Sequence, residues 1–228
     1  MTGVQTCALP ICVAYGNGLF VAVGEDGAIL TSPDGVSWTA RTSGTVKSLN
    51  GVAHGNGLFV AVGYRGAILT SPDGVTWTPR TSGTGDWLEG VTYGNGLFVA
   101  VGDDGTILTS PDGVSWTRRT SGTSSELKGV AYGNSLFVAV GDDGTILTSL
   151  DGVSWNQQTS GTSSELSGVA HGNSLFVAVG KSGTILTSPD GVSWNQQTSG
   201  TSSELKGVAH GNSLFVAVGK SGTILTSP

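Results

Sequence analysis

One phrase, read six times, limits this chain more than any other feature in it. Val-Ala-Tyr-Gly-Asn-Gly-Leu-Phe-Val-Ala-Val-Gly begins at Val13, and its relatives begin at Val52, Val91, Val130, Val169 and Val208, a step of 39 residues each time with no insertion. Residues 168–189 and 207–228 are identical, which points to recent duplication. A fixed period of this length means that each copy is one supersecondary unit, burying its apolar surface against the next copy. The question becomes what 39 residues can form. Long helices are excluded: 38 of the 228 residues are glycine, and glycine at that density costs too much backbone entropy in every helical turn. Collagen is excluded because the glycines lack a strict three-residue period. With 37% apolar residues and a formal net charge of −6, the chain is also too hydrophobic and too weakly charged to stay unfolded.

Residues 51–89 serve as the type unit. The spacing predicts strands over 51–54, 58–63, 67–71 and 75–80, with turns at Asn56-Gly57, Tyr64-Arg65-Gly66 and Asp73-Gly74. Asn-Gly and Asp-Gly are hairpin dipeptides, since both central residues of such turns take positive φ. Tight hairpins force antiparallel neighbours, so each unit is a four-stranded meander and not one coil of a parallel β-helix. In Leu58-Phe59-Val60-Ala61-Val62 both alternating faces are apolar, and neither face can be left in water. A small sheet covered on both sides by copies of itself is the arrangement of a β-propeller. The expected fold is therefore an all-β propeller of four-stranded blades over residues 13–228. The predicted blades are 13–50, 51–89, 90–128, 129–167, 168–206 and a partial 207–228, whose copy stops before the Asp-Gly-Val-Ser-Trp segment that the other five possess.

The third turn carries a family likeness. Ser71-Pro72-Asp73-Gly74-Val75-Thr76-Trp77 resembles the Asp-box of sialidase-type (BNR) propellers, in a variant with one residue fewer between Asp and Gly. The resemblance gives the pairs Asp34 and Trp38, Asp73 and Trp77, Asp112 and Trp116, Asp151 and Trp155, and Asp190 and Trp194 structural roles. It implies that the aspartate ties the turn and the tryptophan packs into the blade. A second resemblance concerns the N-terminus. Met1 to Ile11 reads like the translation of a sequencing-library adapter over eleven consecutive residues. Residues 1–12, with Cys7 and Cys12, are accordingly set aside as non-native, and the native N-terminus is expected to be missing.

Sialidases share this box, so catalysis needs a test. Their chemistry requires three convergent arginines, a tyrosine with a glutamate partner, and an acid. Arg41, Arg80 and Arg119 recur one period apart on the fourth strand. With the first strand innermost, the fourth lies at the rim and these arginines diverge, as charges that discourage edge pairing. A catalytic centre needs different groups converging on one point, whereas uniform units offer a ring of equivalent groups. There is no GxSxG elbow, P-loop or HExxH motif. His54, His171 and His210 alternate with Tyr15, Tyr93 and Tyr132 at one repeat position, which suits a strand end better than a zinc site. No cofactor or metal is expected.

Ten basic against sixteen acidic residues, without a basic stripe, exclude the electrostatic footprint of nucleic-acid binding. The short apolar runs exclude a spanning helix, and no membrane insertion is expected. In a meander, alternate turns share a face, so the turn at Tyr64-Arg65 and the inter-blade loop fall together. Those two places also vary most among the copies: Glu25-Asp26, Tyr64-Arg65, Asp103-Asp104, Asp142-Asp143, Lys181-Ser182 and Lys220-Ser221 at the turn, and Val46-Lys47, Gly85-Asp86-Trp87 or Ser-Ser-Glu in the loop. Tyr64, Arg65, Trp87, Asp103, Asp104, Asp142 and Asp143 are the candidate ligand contacts. The function expected is a non-catalytic scaffold binding a protein or a glycan, with an extracellular or cell-surface location. The alternative is a fragment of an Asp-box glycoside hydrolase whose catalytic blades lie elsewhere.

Overall fold

The computed structural model describes residues 10–227. Among these residues there are 23 strands, in five four-stranded sheets and one of three strands, each sheet an antiparallel meander in chain order. The β-propeller architecture expected from the repeat is present. In blade 2 the strands are Leu49–Gly55, Leu58–Gly63, Ala67–Ser71 and Thr78–Arg80. The register pairs Gly55 with Leu58 across the first turn and Val60 with Ala53 on one side and Thr70 on the other. Asn56 and Gly57 take φ of 49° and 72°, the double left-handed geometry that a two-residue hairpin matching the sheet twist demands.

Packing follows from the second strand. Phe59, Val60, Ala61 and Val62 are all fully buried, but toward opposite neighbours. Phe59 and Ala61 join Val21 and Val23 of blade 1 in one cluster, while Val60 and Val62 join Phe98 and Ala100 of blade 3 in the next. Every seam is thus a Phe/Ala face set against a Val/Val face. Each buried side chain of this size contributes roughly 1.5–3 kcal/mol, and the same contribution recurs at each seam. The innermost strands (Pro10–Gly16, Leu49–Gly55, Leu88–Gly94, Leu127–Gly133, Leu166–Gly172, Leu205–Gly211) stack in series around the axis. The aromatic ring at the end of each of the last five lies where a Cβ on the facing glycine of the preceding blade would fall, as with His54 over Gly16, Tyr93 over Gly55 and Tyr132 over Gly94. Only glycine admits that approach.

Three boundaries differ from the sequence reading. The inner strand begins at Leu49, two residues before the predicted start, because Leu49 and its equivalents Leu88, Leu127, Leu166 and Leu205 are fully buried. The fourth strand is confined to Thr78–Arg80, since the residues before it are spent on the Asp-Gly turn and its bends. The inner strand of blade 1 starts at Pro10, inside the adapter-like segment, and Cys12 packs against the first core cluster. Burial raises the Cys12 thiol pKa. Residues 1–9, including Cys7, lie outside the described residues.

The last sheet has three strands, Leu205–Gly211, Leu214–Gly219 and Ile224–Ser227. Among the described residues the inner strands stack in series from blade 1 to blade 6. The two end flanks consequently expose Val13 (57%) and Ile224 (68%), positions whose counterparts Val52 and Ile68 are buried.

Candidate functional site

The face carrying the second turn of each blade is built around a backbone link. In blades 2 to 6 the first amide of the turn donates to a carbonyl of the loop entering the same blade, as Tyr64 to Ser48, Asp103 to Trp87 and Asp142 to Glu126, at 2.9–3.0 Å. This bond is why the two variable places of the repeat lie side by side. The middle residue of each turn is left-handed, with φ of 51° at Arg65 and Asp104 and 55° at Asp143.

Between blades 2 and 3 this geometry brings Tyr64 and Trp87 together, rings edge-on with centroids 4.7 Å apart. The Arg65 guanidinium sits 5.1 Å from the centre of the Tyr64 ring, within reach of a cation–π attraction. Asp86 fixes the loop: its carboxylate accepts from Thr106 Oγ1 at 2.7 Å and from Arg118 Nη1 at 2.9 Å. Those bonds, with one from Thr84, hold the Asp86 carboxyl below its ordinary range. Trp87 nevertheless stays 46% exposed. Beside it a cleft of about 400 Å³ opens, lined by Tyr64, Trp87, Val46, Asn50, Glu25 and Glu89, with Ser48 and Ile11 at its edges.

Toward the axis the site turns acidic. Carboxylate oxygens of Glu89, Asp103 and Glu126 lie within 4.8 Å of one another, the grouping among the described residues with the donor set to share a cation. Burial, then the charges of Glu126 and Asp103, raise the pKa of Glu89. Burial followed by Glu126 does the same for Asp103. Lys128 already supplies a counter-charge, 2.7 Å from Glu126 and 3.5 Å from Asp142. Glu89 and Lys128, with Asn50, Ser167 and Lys206, occupy one repeat position that the sequence reading passed over. Its variation among otherwise uniform copies is the signal that marks it.

The predicted contacts do not all converge. Tyr64, Arg65 and Trp87 meet, and Asp103 and Asp142 face the acidic centre. Asp104 and Asp143 instead line separate shallow clefts toward the rim, Asp104 beside Arg118 and Arg119, Asp143 beside Gln157 and Gln158. On the opposite face Asp73 Oδ1 accepts from Ser71 Oγ and from the amides of Val75 and Thr76 at 2.8–2.9 Å, and Trp77 Nε1 donates to Gly74 at 3.0 Å. The same bonds close the turns at Asp34, Asp112, Asp151 and Asp190. Trp77, Trp116, Trp155 and Trp194 pack into the seam with the preceding blade and do not form an open platform. Arg41, Arg80 and Arg119 each donate Nε–H to a threonine of their own blade at 2.8–2.9 Å, and they do not come together.

Fold and site together describe a β-propeller with one aromatic, acid-edged cleft on an otherwise repetitive face. Many solved structures are similar to it, and two serve as examples. One, YCF48 bound to D1 peptide, superposes with a TM-score of 0.76 at 20% identity, covering 99% of this chain and 80% of that one. The other, YCF48 from Cyanidioschyzon merolae, gives a TM-score of 0.71 at 17% identity, covering 94% and 78%. At these identities the likeness is one of fold. No protein-family model and no curated protein matches the sequence.

Proposed function

We propose that this propeller is a non-catalytic binding scaffold, and that it takes a protein partner at the cleft of Tyr64, Arg65 and Trp87. The observation that carries the reading is the half-exposed Trp87, braced edge-on by Tyr64 above a cleft of about 400 Å³. A rigid aromatic anchor beside an arginine is the residue set that dominates protein-interface energetics. The carboxylates of Glu25 and Glu89 at the cleft wall suit a cationic group on the partner, and a base brought to Glu89 would relieve the crowding of like charge there. A peptide-bound structure of the same fold, YCF48 with D1 peptide, supports peptide recognition as a use of such a scaffold. The Asp-Gly turns with their tryptophans serve, on this reading, as the structural boxes that seat each blade.

The test pans a displayed peptide library against the full chain and measures selected peptides against a Tyr64→Ala/Trp87→Ala double variant whose circular dichroism matches the parent. A loss of at least about tenfold is expected, as for removal of an interface hot spot. Equal affinity refutes the assignment. Saturable binding on a glycan array, lost in the double variant while no peptide binds, transfers the cleft to a sugar.

A further inference from the structure

Blade 3 departs from the repeat in one further way. At the position of Asp86 the other copies carry Lys47, Ser125, Ser164 and Ser203, and at the position of Arg118 they carry Ala40, Pro79, Gln157 and Gln196. An acid and a base thus occur together in a single copy, 32 residues apart, and they meet: Arg118 Nη1 donates to Asp86 Oδ2 at 2.9 Å. The same oxygen accepts from Thr106 Oγ1 at 2.7 Å, and Thr106 is fully buried. The carboxylate is therefore tied both to the residue that leads into the third strand, Ile107–Ser110, and to the fourth strand, Thr117–Arg119.

The fold does not need this pair. Loops with serine in place of Asp86 close in the same way. The amides of Asp142, Lys181 and Lys220 donate to Glu126, Glu165 and Glu204 at 2.9 Å, as Asp103 does to Trp87. The amides of Ser125, Ser164 and Ser203 donate to Thr123, Thr162 and Thr201 Oγ1 at 3.0 Å, as Asp86 does to Thr84. What blade 3 has and its sisters lack is the tryptophan next in the chain. Trp87 is also set apart among the six tryptophans. The other five donate their indole N–H to the glycine of their own Asp-Gly turn at 2.9–3.2 Å, whereas Trp87 Nε1 donates to no group among the described residues. An exposed ring on a loose loop gives up conformational freedom when a partner lands on it, and fixing it beforehand removes that loss.

We propose that Asp86 and Arg118 are positioning residues, whose ion pair holds the loop over 85–87 so that Trp87 stands against Tyr64 before a partner arrives. The inference rests on the cleft being the binding site, and it gives blade 3 a bracing device that the other copies do not carry.

The chain labelled with 5-fluorotryptophan contains six fluorinated rings, and Trp87→Phe identifies the fluorine line of Trp87. Asp86→Ser and Arg118→Gln install residues that blades 4 and 5 already carry at those positions, so both variants should fold with the parent's urea midpoint. In each, the Trp87 line should shift while the other five stay. Peptides selected on the cleft should bind about two- to fivefold more weakly, the range of an exposed ion pair. An unmoved Trp87 line, a shift of all six lines, or a shifted line with unchanged peptide affinity overturns the proposal. Failure of the partner reading looks different: no selected peptide binds the parent, and a Trp87 line that still shifts alone upholds the pair's hold on the ring.

Discussion

His54 has an enclosed Nε2 with no hydrogen-bond partner, its ring packed on Phe59 with centroids 4.6 Å apart. Burial lowers its pKa, and His171 responds in the same way with a further push from His210. The linkage has a definite sign. Above about pH 6.5 both folded and unfolded imidazoles are neutral and nothing changes. As pH falls through that value, the unfolded chain takes up the proton first, so the stability contributed by the neutral ring is progressively lost. Tyr93 and Tyr132 stand at the same repeat position, stacked on Phe98 and Phe137 at the same 4.6 Å, so His54→Tyr should fold. Urea midpoints at pH 8 and pH 5 should lie closer together in His54→Tyr than in the parent. Equal separation counts against the idea. The exchange of Tyr and His among copies correctly marked this as a strand-end position. What a single sequence cannot express is that the ring crosses to the preceding blade and rests on its glycine, since that contact joins residues 38 apart (Gly16 and His54).

At the scale of the element, the Asp-Gly turn and its tryptophan act as a clasp between blades. Trp77 is 9% exposed because blade 1 lies beneath it, whereas Trp38, in the same motif but with no blade before it among the described residues, is 40% exposed. Their local hydrogen bonds are alike, Nε1 to Gly74 at 3.0 Å and to Gly35 at 3.2 Å. The comparison thus isolates packing from the turn itself. Trp77→Ala should cost about 3–5 kcal/mol, the range for truncating a large buried aromatic, and Trp38→Ala markedly less. Urea unfolding of the two variants measures the difference, and matched losses would show that the turn, not the seam, carries the energy. The strands themselves were legible in the sequence because Asn-Gly, the Tyr64-Arg65-Gly66 turn and Asp-Gly punctuate every 39 residues, and the two-sided apolar run at Leu58–Gly63 required cover on both faces. The cleft was legible only in part. Repeat variation pointed to Tyr64, Arg65 and Trp87, but the outward course of Asp104 and Asp143 depends on the left-handed twist of the turn. The acidic centre arises from side chains of blade 3 and of the loop entering blade 4, which no local pattern joins.

Taken whole, the molecule is a series of near-identical seams, each apolar cluster shared by two adjacent blades, as in other one-dimensional repeat proteins. Stability in such a chain is local, and the ends should open first. Val60–Val62 and Val99–Val101 lie between covered faces, while Leu214 and Val218 of blade 6 are 37% and 45% exposed. Amide hydrogen exchange should therefore be fastest in Leu205–Gly211 and Leu214–Gly219 and slowest in the matching strands of blades 2 to 4. A uniform rate across blades would show that the molecule opens as a single unit. The same serial arrangement fixes how the chain yields to tension. Each apolar cluster joins two adjacent blades, so under tension blades should detach singly and release roughly 130–140 Å of extended polypeptide at each step, a ruler whose graduations are the repeats.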